Sequence, residues 1–145
     1  IGRLVGSEMC IRDSYWTALE ETDILTEITV KAFPQGAGYA YKKLKRKTGD
    51  WATAACAVVV ALSGGSVSHI RITLTNLGPT ALRAHDAESI LMGQSINDDL
   101  IRQAAAKAME ICDPAEDLRG DAEYKTAMAG QMVQRAINEA LAKAS

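Results

Sequence analysis

Five basic side chains fill six consecutive positions, Lys42, Lys43, Lys45, Arg46 and Lys47, and the run ends on Gly49, Asp50 and Trp51 in YKKLKRKTGDWATA. Residues of this kind can track phosphates, ring a cofactor pocket or coat a solvated strand. Strand alternation puts Lys43, Lys45 and Lys47 on one face and Lys42, Leu44 and Arg46 on the other. A nucleic-acid grip needs a wider footprint, and no second basic and aromatic cluster occurs elsewhere in the chain. With 16 Lys and Arg against 18 Asp and Glu the net charge is −2, so nothing draws the whole chain to nucleic acid or an anionic membrane. Taken alone, the stretch leaves three readings open in decreasing order: a solvated face, a cofactor rim and a nucleic-acid strand.

Other candidates carry less. His69 and His85 are the two histidines, and neither has a Ser or Cys at a spacing that suggests a nucleophilic pair. The stretch DPAEDLRGDAEY, residues 113–124, groups acids around an arginine but lacks the regular ligand positions of a calcium loop, so a helix-to-helix connection with solvated charges is expected. Met128 and Met132 read as core filler. Gly36-Ala37-Gly38 is too short for a dinucleotide fingerprint and reads as a joint. The three cysteines, Cys10, Cys56 and Cys112, have no metal-type spacing and are expected as reduced, mostly buried thiols. No metal ligands and no catalytic residue emerge.

These residues need elements to hold them. A chain of 145 residues with 48% hydrophobic and 23% charged residues has the size and composition of one domain. The longest apolar run, residues 54–62, is far short of the roughly 20 residues of a membrane helix, and no cleavable signal opens the chain. The default location is the cytoplasm. Residues 24–30, ILTEITV, alternate apolar with polar and predict a half-buried strand. Residues 39–47, 51–62 and 67–76 predict three more, the last two joined by Ser63-Gly64-Gly65-Ser66 as a tight hairpin. A helical period follows over 82–92, closed by Gly93. Ser95-Ile96-Asn97-Asp98 then looks like a cap for a helix carrying Ile96, Leu100, Ala104, Ala108 and Ile111 on one face. Asp113-Pro114 stops it. The last helix lines up Tyr124, Met128, Met132, Val133, Ala136, Ile137, Ala140 and Leu141. Strands followed by helices predict an α+β fold: a small antiparallel three-stranded sheet packed with about three C-terminal helices.

The first fourteen residues show no such pattern. VGSEMCIRDS, residues 5–14, resembles the translation of a transposon-end sequencing adapter, and residues 1–14 are expected to be non-native.

The segments YWTALEETDILTEITV, GAGYAYKKLKRKTGDWATAACAVVVALSGG, IRITLTNLGPTALRA and DLRGDAEYKTAMAGQMVQRAINEA together resemble, in order and spacing, the C-terminal part of the FAD-carrying medium subunit of molybdenum hydroxylases, the aerobic carbon monoxide dehydrogenase type above all. The resemblance covers residues 15–145. It implies that residues 15–36 are the end of an FAD-binding domain, a remnant strand and a joint, and that 37–145 are the flavoprotein C-terminal domain. It also implies a three-subunit oxidoreductase of the carbon monoxide dehydrogenase or xanthine dehydrogenase family, with nicotine- or xanthine-type hydroxylases as alternatives. A large molybdenum-cofactor subunit would oxidise substrate, a small subunit with two-iron two-sulfur clusters would relay electrons, and FAD would hand them to quinone or NAD. The expected location is the cytoplasm, including the inner face of the membrane.

By the same resemblance, Leu25 in DILTEI and Lys42 in AYKKL match positions that line the flavin pocket. Trp51 in GDWATA matches an aromatic position beside the isoalloxazine ring, and Asp50 fixes its loop. Arg46 and Lys47 match a charged flank of that loop, where positive potential favours reduced, anionic flavin. Nothing in the chain matches the family's two glycine-rich FAD loops, so the implied pyrophosphate site lies elsewhere and the polypeptide alone is expected to bind FAD weakly and to lack turnover. The alternative is a stand-alone interaction or scaffold module without flavin or activity.

Overall fold

The computed structural model describes residues 20–145. Cys10 and the adapter-like residues 1–14 lie outside the described residues. The chain divides into two units, Ile1–Ala32 and Phe33–Ser145.

In the first unit the described residues form one turn, in which the Asp23 amide donates to Glu20 O at 3.0 Å, and no helix or strand. The strand expected over 24–30 is absent. Ile24, Ile28 and Val30 have the β-branched alternation of a strand but no ladder partner among the described residues, and all three are exposed. Alternation measures fitness for a sheet; it does not supply the neighbouring backbone that makes one.

The second unit is a four-stranded antiparallel sheet in the order β1-β2-β3-β4, with β1 Gly38–Leu44, β2 Ala54–Ser63, β3 Ser66–Thr75 and β4 Leu82–Arg83. Three helices follow β4: α1 His85–Leu91, α2 Asp98–Glu110 and α3 Ala122–Lys143. The α+β class and the three longer strands agree with the sequence pattern, and β4 is the addition. Its two residues sit inside the stretch expected to be helical from 82, where they pair with Thr73 and Leu74 before α1 begins. Two residues are too few to carry a period. The first strand also ends three residues earlier than expected, which turns Lys45, Arg46 and Lys47 into loop residues.

The hairpin between β2 and β3 forms as the sequence predicts: Gly64 and Gly65 both have positive φ, 58° and 82°, the geometry that matches strand twist. α3 packs across β1 and β2, α2 packs on α3, and α1 packs on α2 and β3. The core between the layers joins Val58, Val60, Ile70, Ile72 and Leu74 of the sheet to Val133, Ala136, Ile137 and Ala140 of α3. Alanines let the layers approach closely, and the approach is closest at Gly38, where a Cβ would stand 1.9 Å from Ala140 O. Only glycine fits at that start of β1. Caps set the helices: Asn97 Oδ1 accepts from the Leu100 amide at 2.9 Å, and Asp121 Oδ1 accepts from the Tyr124 amide at 2.7 Å.

Candidate functional site

The connection from β1 to β2 carries the basic run, and it is held from several sides. At its base, the Thr53 amide donates to Leu44 O at 2.8 Å, and the Asp50 amide donates to Lys47 O at 3.2 Å. Asp50 is buried although its loop neighbours are exposed. Its Oδ1 accepts from the Trp51 amide at 2.8 Å and from Arg119 Nη2 at 3.1 Å, while its Oδ2 accepts from Arg46 Nε at 3.1 Å. The Arg119 and Arg46 guanidiniums, with the Trp51 amide behind them, bring the Asp50 carboxyl down from the ordinary 3.8 to about 2 against the opposing effect of burial. On the other flank, Asn76 Nδ2 donates to Ala52 O at 2.7 Å. Trp51 stands between these two anchored residues with 72% of its surface exposed. A large apolar ring so presented on fixed backbone offers a flat face for stacking on a planar heteroaromatic group.

Lys42 faces the helices. Alternation along β1 buries Gly38 and Ala40 and half-buries Lys42 and Leu44, whereas Tyr39, Tyr41 and Lys43 point to the opposite face. The Lys42 ammonium pairs with Glu139 of α3, whose other carboxylate oxygen accepts from Lys143 Nζ at 2.7 Å. Lys143, then Lys42, hold the Glu139 carboxyl at about 2. A shallow groove of about 390 Å³ runs there between β1 and α3, lined by Lys42, Lys43, Arg135, Asn138 and Glu139 among others. Lys43, Lys45 and Lys47 are exposed, so the loop keeps a positive potential even with Arg46 engaged.

Of the four residues singled out by the sequence, the structure thus brings three, Lys42, Asp50 and Trp51, onto one hairpin. Leu25 belongs to the first unit and is about half exposed.

The connection between α2 and α3 is the helix-to-helix link expected of residues 113–124, with its acids exposed, but Asp117 and Arg119 in it are also engaged in specific pairs. Asp117 Oδ1 pairs with Lys125 Nζ at 3.0 Å, Asp117 Oδ2 with Arg119 Nη1 at 3.4 Å, and Lys125 Nζ also donates to Ala115 O at 2.6 Å. Lys125 is 1% exposed. A buried ammonium is tolerated because carboxylate and carbonyl replace its water. Its position was a readable signal, since Lys125 falls in register with Ala129, Met132 and Val133 on the apolar face of α3. The Arg119–Asp50 pair had none, because the two lie 69 residues apart.

The remaining titratable groups read structurally. Glu88 of α1 is buried, and its Oε1 accepts from the Ile72 amide at 2.9 Å while Arg83 forks onto both oxygens at 3.0 and 2.9 Å. Burial works to raise its carboxyl, but the Arg83 fork, the Ile72 amide and Arg71 outweigh it, and the carboxyl lies below its usual range. His69 lies on β3, its imidazolium disfavoured first by burial and then by Arg71. Cys56 is buried and Cys112 half-buried; both are free thiols, pushed by burial up to about 12 and about 11.

The second unit has known relatives. Residues 39–140 match the family model of the CO dehydrogenase flavoprotein C-terminal domain. The carbon monoxide dehydrogenase medium chain of Hydrogenophaga pseudoflava is 57% identical over 141 residues, 97% of this chain and 49% of that protein. The medium chain of Afipia carboxidovorans is 45% identical over 142 residues, 98% of this chain and 49% of that protein. The chain therefore spans about half the length of the curated relatives it matches. A solved structure of the Hydrogenophaga pseudoflava carbon monoxide dehydrogenase lacking the Mo-pyranopterin moiety superposes with a TM-score of 0.90 at 59% identity, covering 95% of this chain and 48% of that one.

Proposed function

The chain belongs to the CO dehydrogenase flavoprotein C-terminal domain family, and from that premise we propose that it works as part of the flavoprotein subunit of a molybdenum hydroxylase, of the carbon monoxide dehydrogenase type. The observation that carries the reading is Trp51, an exposed indole on a hairpin loop whose flanking residues are tied down on both sides.

The residues present fit the ring end of FAD. Trp51 supplies a stacking face, Asp50 keeps it in place, and the exposed Lys45 and Lys47 of the same loop supply positive charge, while Lys42, paired with Glu139 on the helix-facing side of β1, is a further flavin contact the resemblance assigns. Leu25 is the apolar contact the reading assigns to the first unit. When bound, FAD would accept electrons from two-iron two-sulfur clusters of a small subunit and release them to an external acceptor. The chain's own part is to cover the ring, exclude water from it and hold a positive field that favours the anionic reduced form. The substrate would be oxidised at the molybdenum cofactor of a large subunit. In this reading residues 37–145 are the C-terminal domain and residues 15–36 end the flavin-binding domain. The complex would work in the cytoplasm, with access to an acceptor at the inner face of the membrane; among the described residues, no helix is long and apolar enough to cross one.

The test is a chimera in which this chain replaces the matching half of the Hydrogenophaga pseudoflava medium chain. The reading expects a purified subunit complex that holds FAD at close to the parental stoichiometry. A well-folded chimera that assembles without flavin would remove it and favour the scaffold alternative.

A further inference from the structure

Trp51 is exposed, and part of what holds its loop does not lie on its own hairpin. Asp50, the residue before it, is anchored from outside by Arg119 of the connection between α2 and α3, 69 residues later, at 3.1 Å. That connection is itself fixed. Asp117 and Gly120 form a bridge, with the Asp117 amide donating to Gly120 O at 3.2 Å and the Gly120 amide donating to Asp117 O at 3.1 Å. Asp117 Oδ1 accepts from the Arg119 amide at 2.8 Å and also holds the buried Lys125 ammonium at 3.0 Å. Lys125 is rooted on the core side of α3. A continuous polar chain therefore runs from α3 through Lys125, Asp117, Arg119 and Asp50 to the Trp51 amide. The hairpin's own contribution to the carboxylate is Arg46, whose side chain is 57% exposed, against 24% for Arg119. Exposed pairs hold little, because water competes for both partners.

We propose that Arg119 is the positioning residue for Trp51: its guanidinium, set by Asp117 and the rooted turn, grips Asp50 and so fixes the angle at which the indole is offered to its ligand. The inference rests on the flavin reading for the identity of that ligand and on the structure alone for the grip. Arginine suits the role because its planar fork reaches two carboxylates at once, Asp50 by Nη2 and Asp117 by Nη1. A lysine has the charge without the fork. Arg119 Nε is buried without an acceptor among the described residues, so the side chain is disposed for its two carboxylates and not for complete satisfaction of its own donors.

The experiment uses the full chain carrying Trp16→Phe, which leaves Trp51 as the reporter of the two tryptophans, and reads its nanosecond fluorescence anisotropy without any flavin. Arg119→Ala should raise the amplitude of fast indole motion at least about twofold. Arg119→Lys should fall between that and the parent. Lys125→Met, which removes the root but leaves the Arg119–Asp50 contact, should move it less than Arg119→Ala does. Asp50→Asn is the second variant should Arg119→Ala fold poorly, because it keeps a neutral acceptor for the Trp51 amide while weakening the grip, and it too should mobilise the ring. Unchanged anisotropy in a folded Arg119→Ala or in Asp50→Asn would overturn the proposal. Mobilised Trp51 together with a chimera that holds no FAD would keep the positioning role and remove only the flavin.

Discussion

Two carboxylates are buried in this domain, Asp50 before β2 and Glu88 on α1, each with a side chain 6% exposed and each facing two arginines. They do different work. Glu88 bonds to the sheet itself: β4 stops after two paired residues, and the Ile72 amide that would have continued the ladder donates to Glu88 instead. An unpaired buried amide is costly, so this carboxylate completes the edge of the sheet. Asp50 bonds only one amide, that of Trp51, and its other partners are arginines on two loops. Similar burial and similar partners thus serve a sheet edge in one place and the aim of an exposed ring in the other. Burial with charge pairing does not by itself mark function; what is held marks it.

Two acids with different work should not respond alike to substitution. Glu88→Ala should cost about 1–3 kcal/mol in denaturant unfolding, since it strands the buried Ile72 amide. Asp50→Asn should lower the unfolding midpoint less than Glu88→Ala does and register chiefly in Trp51 mobility. Equal losses of stability would mean that Asp50 is a second structural clamp and no aiming device.

Acid sharpens the contrast more gently. Asp50 and Glu139 are each lowered to about 2 from 3.8 and 4.5. A carboxyl lowered in the folded state contributes stability that is complete above its unfolded value and is lost as pH falls through the folded one. Both grips should therefore persist at mildly acidic pH and loosen between about 4 and 2. Trp51 anisotropy should fall across that window. A fall centred near neutral pH would show that some group other than Asp50 governs the loop.

Much of this was legible because it is local. Periodicity found β1, β2 and β3, the double glycine found their hairpin, and the spacing of Val133, Ala136, Ile137 and Ala140 found the core face of α3. Two residues of β4 are shorter than any period, and residues 24–30 show that a sheet pattern without a neighbouring strand stays unpaired. Lys42, Asp50 and Trp51 were singled out by the family resemblance, for the basic run alone left a solvated face ahead of a cofactor rim. Arg119 could not be reached that way. Its partner lies 69 residues distant, and an arginine among acids in a linker has the same sequence signature whether it is solvated or clamped.

The most direct measurement is flavin quenching of Trp51 in the chimera with the Hydrogenophaga pseudoflava medium chain, with every other tryptophan replaced by phenylalanine. If Trp51 stacks on the ring, its emission should be strongly quenched when FAD is bound and restored when flavin is released, and Trp51→Ala should weaken FAD retention. Emission that is indifferent to bound FAD, with retention unchanged in Trp51→Ala, would contradict the claim that this loop faces the flavin.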